Sequence, residues 1–167
     1  MQIDDLAQVH AIDVQSFSMP WPLSSYRYEL LENPASLQWV AEACSPDGAC
    51  QVVGMIVVWL ILDEAHIATI AVQADHRGRG IGRVLLAQAL QASIRKGAHM
   101  ATLEVRAGNQ VAQEFYRGFE FEVVNRRPRY YRDNNEDALI MTISGLDRAY
   151  AAWLEKEKLN AQDYGNS

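Results

Sequence analysis

The sequence predicts a single α+β domain, and three observations carry that expectation. Its 167 residues suffice for one hydrophobic core and fall short of two comfortable ones. Its apolar residues change period along the chain, from β-branched runs to helical spacing and back. Its two clearest adjacent strand candidates, residues 52–62 and 65–72, are joined only by Asp63-Glu64, so they must run antiparallel. No repeat, low-complexity segment or linker interrupts this order.

Each element has a local reason. Leu6, Val9, Ile12 or Asp13, and Phe17 stand near helical spacing, and Pro20 and Pro22 exclude a helix interior just beyond them. Ser24-Ser25 are positioned to cap a second helix through Glu32, which Asn33-Pro34 ends. Residues 37–44 read as a strand, followed by a Pro46-Asp47-Gly48 turn in which Pro presets φ and Gly accepts a positive one. Residues 52–62 are nearly all apolar and read as a buried strand.

From residue 81 to 94 the period becomes helical. Ile81, Leu85 and Ala89 form one ridge and Leu86, Leu90 and Ile94 a second, with Arg83, Gln88, Gln91 and Arg95 facing away. Gly97 ends that helix. Residues 101–106 read as a strand, 109–117 as a short helix stopped by Gly118, and 119–125 and 139–143 as further strands. Residues 146–159 form a terminal amphipathic helix carrying Tyr150, Trp153 and Leu154, and the polar tail 160–167 is expected to fray.

Charge narrows the function classes. A formal net charge of −6 argues against general nucleic-acid binding. Eleven of the fifteen Lys and Arg residues nevertheless lie between Gln73 and Arg132, which points to a local anionic ligand, although most of them also fit solvated helix faces. The start of the chain lacks a basic stretch followed by an apolar run, and the longest apolar run, 55–62, is far shorter than the ~20 residues of a membrane helix. The expectation is a cytoplasmic protein with no membrane partner. Cys44 and Cys50 flank a turn that could bring them together, but without an export signal two reduced thiols are expected. The four histidines show no ligand spacing, so no metal is expected.

The most informative stretch is residues 73–83, QADHRGRGIGR. Glycines at alternate positions join a buried strand to an amphipathic helix, so several backbone N–H groups and the helix N-terminus can face one oxygen-rich ligand. Arg77, Arg79 and Arg83 add charge in a geometry suited to phosphate. Pyrophosphate is the natural guest. No Gly-Lys-Ser/Thr follows, so this is not a Walker loop, and a dinucleotide fingerprint fails because its third glycine would fall on Arg83.

Arg77-Gly78-Arg79-Gly80-Ile81-Gly82 resembles the Arg/Gln-x-x-Gly-x-Gly/Ala motif of the GNAT acetyltransferase superfamily. Four further segments resemble the bacterial ribosomal-protein alanine N-acetyltransferases: Leu103-Glu104-Val105-Arg106 through Asn109, Phe115-Tyr116-Arg117-Gly118-Phe119, Arg126-Arg127-Pro128-Arg129-Tyr130-Tyr131 with Glu136-Asp137-Ala138, and Phe17-Ser18-Met19-Pro20-Trp21. Arg129 makes the spacer before the tyrosines differ from the usual one. The resemblance implies the GNAT fold over residues 1–145, a central mixed and mostly antiparallel sheet splayed at an acetyl-CoA site and flanked by helices. Residues 146–167 would then be a C-terminal helical extension and tail, whose Trp153 and Leu154 cover the sheet or make a dimer contact.

The resemblance also implies roles. Backbone groups of Ile70, Ala71 and Val72 would pair with pantetheine. Arg77, Gly78, Arg79, Gly80, Ile81, Gly82 and Arg83 would hold the pyrophosphate, and Asn109 would contact the cofactor while capping a helix. Glu104 would be the base, its pKa raised by a partly dry cleft, and Tyr116 the acid for the leaving thiolate. Pro20, Trp21, Tyr130 and Tyr131 would line a peptide groove. On residues alone, Glu104 reads equally as the solvent face of a strand and Tyr116 as a packing aromatic. The expected substrate is the N-terminal α-amine of a protein, in particular a ribosomal protein beginning with alanine, acetylated by direct attack by a monomer or weak homodimer. A small amine, a lysine, a non-catalytic acetyl-CoA-binding module and a nucleotide-binding domain are the competing readings.

Overall fold

The computed structural model describes the backbone of residues 1–165 and side chains through Ala161. In chain order the elements are α1 (Leu6–Ser16), α2 (Leu23–Leu31), β1 (Ser36–Cys44), β2 (Cys50–Ile61), β3 (Glu64–Val72), α3 (Ile81–Arg95), β4 (Met100–Arg106), α4 (Gln110–Arg117), β5 (Glu122–Tyr131), β6 (Glu136–Ser144) and α5 (Arg148–Gly165). The six strands form one sheet in the order β1-β2-β3-β4-β6-β5. Only β3 and β4 run parallel; every other pairing is antiparallel. This is the α+β architecture expected from the alternation of periods, and its sheet is mixed and mostly antiparallel.

Both faces of the sheet are covered, which explains the unbroken apolar run in β2. Met55 and Val57 face a cluster with Leu6, Val9, Ile12 and Tyr26 from α1 and α2. Ile56 and Val58 face the opposite cluster, where Leu85, Leu86 and Leu90 of α3 are buried. Burying each such side chain contributes about 2 kcal/mol. The α5 helix lies against α3 and buries Tyr150 and Leu154 in that second cluster.

The β3–β4 pairing is short. Only Glu64–His66 pair with Met100–Thr102. Ala68 is an extra residue in the β2–β3 register, because Val57 pairs with Thr69 while Val58 pairs with Ile67. A bulge bends and twists its strand. Placed just past His66, it accompanies the departure of the end of β3, which stays with β2, from β4, which stays with β6 as far as Arg106. The gap opened between them is the splay that the family resemblance implied.

Several expectations change. Phe17 lies past the end of α1 in extended backbone and is exposed, while Asp13 is the residue buried there. The α2 helix starts at Leu23 after Pro22, with no side-chain cap from Ser24 or Ser25. Gln91 does not face solvent, because α5 covers it and its amide donates to the Ala151 carbonyl and to Glu155. Strand β5 begins at Glu122 and continues to Tyr131, through Pro128; an edge strand tolerates a missing N–H. Cys44 and Cys50 are not separate thiols: they are cross-strand neighbours joined as a disulfide, because the hairpin register sets them opposite one another. Helix α5 runs to Gly165, so most of the segment expected to fray is helical, and the rest of it, residues 166–167, lies outside the described residues.

Candidate active site

The ends of β3 and β4 diverge onto two cavities. One, of about 640 Å³, is lined by Ile70, Ala71 and Val72, by Arg77, Gly78, Gly80, Ile81, Gly82 and Arg83, and by α4 residues. The other, of about 440 Å³, lies on the side of α1 and of β5 and is lined by Trp21, His66, Glu104, Arg106, Tyr130 and Tyr131 among others. Ser16, Phe17, Ile70, Asn109, Ala112 and Tyr116 border both. A group held in one cavity can therefore meet a group held in the other at Tyr116.

Backbone conformation makes the first cavity. Gly78 and Gly80 have φ of +75° and +78°, a region that L side chains rarely adopt. Gly80 is the N-cap of α3 and offers no side chain to its first turn, so the opening N–H donors of that helix face the cavity uncapped. Arg77 lines the wall while its Nε donates to the Val72 carbonyl at 3.0 Å, tying the loop to the end of β3. His76 also lines this space, while its Nδ1 is shielded from solvent and has no hydrogen-bond partner in the protein. Unsatisfied donors at a helix N-terminus and an arginine fit a pyrophosphate-bearing ligand. Two of the expected arginines sit differently. Arg79 is exposed and outside the cavity wall. Arg83 lines it but is ion-paired with Glu157 of α5, its guanidinium over the Phe119 ring.

The catalytic candidates flank the junction. Asn109 is the N-cap of α4, its Oδ1 accepting from the Ala112 N–H at 3.0 Å. That cap starts the helix whose next-to-last residue is Tyr116, 8% exposed between Phe115 and Phe121. Burial pushes the phenol well above its ordinary range, so it keeps its proton at any physiological pH. Glu104 sits on β4 with both oxygens engaged: Arg127 donates to Oε1 at 2.8 Å, and His66 Nε2 lies 3.2 Å from Oε2. Its pKa was expected to rise by desolvation, but the balance goes the other way. The His66 hydrogen bond, with the charges of His66 and Arg127, outweighs desolvation and holds the carboxyl below its ordinary value.

Side chains from α1, β2, β3, β4, α4 and β5 and from the α1–α2 loop build the second cavity. Trp21, Trp59 and His66 form a stack of three rings, with centroids 6.0 Å and 5.4 Å apart and planes within 13° and 11°. Asp13 accepts from the Trp21 N–H at 2.6 Å, and Glu29 from the Trp59 Nε1–H at 2.9 Å. Arg106 lies 3.9 Å over the Tyr131 ring and pairs with Asp133 and Glu136 of the β5–β6 hairpin. It also donates to Ser18, which bonds to Asp133, so the α1–α2 loop is tied to that hairpin. Of the expected groove residues, Trp21, Tyr130 and Tyr131 line this space, and Pro20 does not. His66, Arg127, Arg106 and Trp59 were not singled out for this site from the sequence. Arg106 and Arg127 stood in the basic cluster and in the family-like segments without being given a role, and His66 and Trp59 stood inside apolar strands.

Among the described residues no group of three or more His, Cys, Asp and Glu is placed to hold a metal ion. No helix among them is long and apolar enough to cross a membrane.

Comparison with known proteins agrees with this geometry. The sequence model of the Acetyltransferase (GNAT) family matches residues 6–121. A Bacillus subtilis (strain 168) protein named for alanine N-acetylation of ribosomal protein bS18 is 37% identical over 144 residues, 86% of this chain and 92% of its own. The crystal structure of the ribosomal-protein-S18-alanine N-acetyltransferase from Escherichia coli superposes with a TM-score of 0.74 at 27% identity, over 86% of this chain and 90% of that one. A chain of the NatC complex bound to Gag peptide and CoA superposes with a TM-score of 0.75 at 25% identity, over 86% and 92%. The glycine loop at the start of α3, the splayed β3–β4 pair and the extent of these matches have one reading: the chain is a member of the GNAT acetyltransferase family.

Proposed function

We propose that this protein transfers the acetyl group of acetyl-CoA to the N-terminal α-amine of a protein, in particular a ribosomal protein beginning with alanine. The observation that carries the reading is the pair of cavities sharing a wall at Tyr116, one lined by the glycine loop and the other by Glu104. Acetyl-CoA supplies an activated thioester. The loop from Arg77 to Gly82 and the first turn of α3 hold its pyrophosphate, and the unpaired edge of β3 from Ile70 to Val72 aligns its pantetheine arm and offers an N–H to the developing oxyanion. Arg83 supports α3 through Glu157 and Phe119 in addition to facing the ligand.

The peptide enters beside Trp21, Tyr130 and Tyr131, under the bridge from Ser18 to Asp133. Glu104 promotes loss of the ammonium proton through an intervening group. The neutral amine then attacks the thioester carbonyl, the C–S bond breaks, the Tyr116 O–H protonates the departing thiolate, and the proton released by the acylated nitrogen restores the phenol. An α-amine suits so weak a carboxylate base. With a reference pKa of 7.7–8.0, roughly a tenth is neutral at pH 7, against about four in ten thousand for lysine at 10.4. The C-terminal extension covers α3 through helix α5, and the protein works in the cytoplasm.

The test is a competition at pH 7 between an alanine-starting peptide, the same peptide N-blocked with an internal lysine, and a panel of small amines, read by mass spectrometry. The α-amine is expected to be acetylated at least tenfold faster. Faster modification of lysine or of a small amine overturns the α-amine reading.

A further inference from the structure

We propose that His66, and not the Glu104 carboxylate alone, takes the proton from the attacking ammonium on its Nδ1 atom, with Glu104 holding the ring through Nε2. This rests on the α-amine reading of the site.

The geometry is that of a base and its orienting group. Nε2 lies 3.2 Å from Glu104 Oε2, a placement in which the carboxylate favours the neutral tautomer with its proton on Nε2 and the lone pair on Nδ1. The ring cannot swing away freely, because it stacks on Trp59, itself stacked on Trp21 and anchored by Glu29. His66 lines the amine cavity and not the cofactor cavity. It is also the last β3 residue paired with β4, so it stands where the splay begins. Glu104 and, beyond it, Arg127 are the charged groups held against this pair, while Asp13, Arg106, Tyr130 and Tyr131 face the same cavity.

Proton affinities favour the imidazole as acceptor. A carboxylate already accepting from Arg127 and His66 has a pKa below its ordinary 4.5. Moving a proton to it from an ammonium at 7.7–8.0 is unfavourable by more than about 1,000-fold, which makes this carboxylate a poor direct acceptor. In the proposed step the N–H bond of the ammonium breaks and an Nδ1–H bond forms. The resulting imidazolium keeps its Nε2–H on the Glu104 carboxylate, and the imidazolium returns its extra proton to water after the acetylated peptide leaves. Glu104 stays ionised and acts as a positioning residue.

The experiment measures kcat/KM for an alanine-starting peptide from pH 6 to 9 with the full chain, H66Q and E104Q, alongside Y116F. Nitrogen-15 NMR of the His66 ring in wild type and in E104Q, reading which ring nitrogen carries the proton, accompanies it. H66Q is expected to lose on the order of tenfold at pH 7, where about a tenth of the amine is neutral, and less than about twofold at pH 9, where the amine is already neutral. The His66 ring is expected to carry its proton on Nε2 in wild type and to lose that preference in E104Q. A deficit of equal size at every pH, no deficit, or a His66 tautomer unmoved by E104Q overturns the proposal. The NMR arm decides even if H66Q does not fold. If E104Q and Y116F keep wild-type turnover, the reading of the whole site fails; if they lose turnover while the H66Q deficit does not vary with pH, only the proton relay does.

Discussion

The two cavities that meet at Tyr116 are built by different means. The cofactor cleft is made of backbone: the β4-facing edge of the end of β3, two glycines in left-handed conformation and the uncapped start of α3. The amine pocket is made mainly of side chains from α1, β2, β3, β4 and β5, held by stacking, cation–π contact and ion pairs. A backbone site tolerates side-chain change wherever its φ and ψ survive. A side-chain site fails one contact at a time. Perturbations should therefore separate the two cavities, in cofactor affinity for the first and in turnover or peptide KM for the second.

The largest expected effect strikes the backbone cleft. A Cβ on Gly80 would lie 2.5 Å from the Ala161 carbonyl oxygen, and its φ of +78° already disfavours alanine. Backbone lies on both sides of that clash, so the loop or α5 must move. Gly80→Ala is expected to destabilise the fold by about 3 kcal/mol, near 8 °C in Tm. It should also weaken acetyl-CoA binding at least tenfold by calorimetry. Unchanged melting and affinity would show that the loop does not depend on its contact with α5.

At the junction, Tyr116→Phe removes one oxygen from a residue packed between Phe115 and Phe121. Packing and acetyl-CoA affinity should survive, within about twofold, while kcat falls on the order of 100-fold. Burial raises the phenol pKa, so the lost proton donor is one that stays protonated throughout. The deficit should therefore be the same from pH 6 to 9, unlike that of His66→Gln. A Tyr116→Phe deficit that grows or shrinks across that range would mean that the hydroxyl acts through a titrating neighbour.

The same division explains what could be read in the chain before its structure. Gly78 and Gly80 were legible because a left-handed turn before a helix is written in adjacent residues. Asn109 was legible as a cap for the same reason. Glu104 and Tyr116 were ambiguous, since alternation in a strand and an aromatic on a short helix fit packing equally well, and only the surrounding family segments assigned them roles. His66 was hidden inside an apolar strand, and its partner belongs to another strand with α3 between them. Arg127 was missed because residues 126–131, broken by Pro128, do not look like strand until edge placement excuses the proline. Gln91 looked solvent-facing because nothing local announces that α5 returns to cover it.

The smallest expected effect tests how much a single contact matters in the side-chain pocket. Arg127 donates to Glu104, but its side chain is 52% exposed and the pair is screened on that side. The folded-state pKa of Glu104 is depressed, so the stability it contributes is full above its ordinary value of 4.5 and is lost as pH falls through the folded value. Arg127→Ala should remove only part of that, about 0.5 kcal/mol at pH 7 by urea melts, because His66, the larger cause of the depression, remains. The difference between the two proteins should shrink toward zero near pH 3 as the carboxyl is protonated in both. Turnover should change less than about threefold, since the ring that receives the proton keeps its place against Glu104. A loss comparable to that of Tyr116→Phe would instead make Arg127 part of the catalytic machinery, and the amine pocket would then rest on the Glu104–Arg127 pair more than on the imidazole.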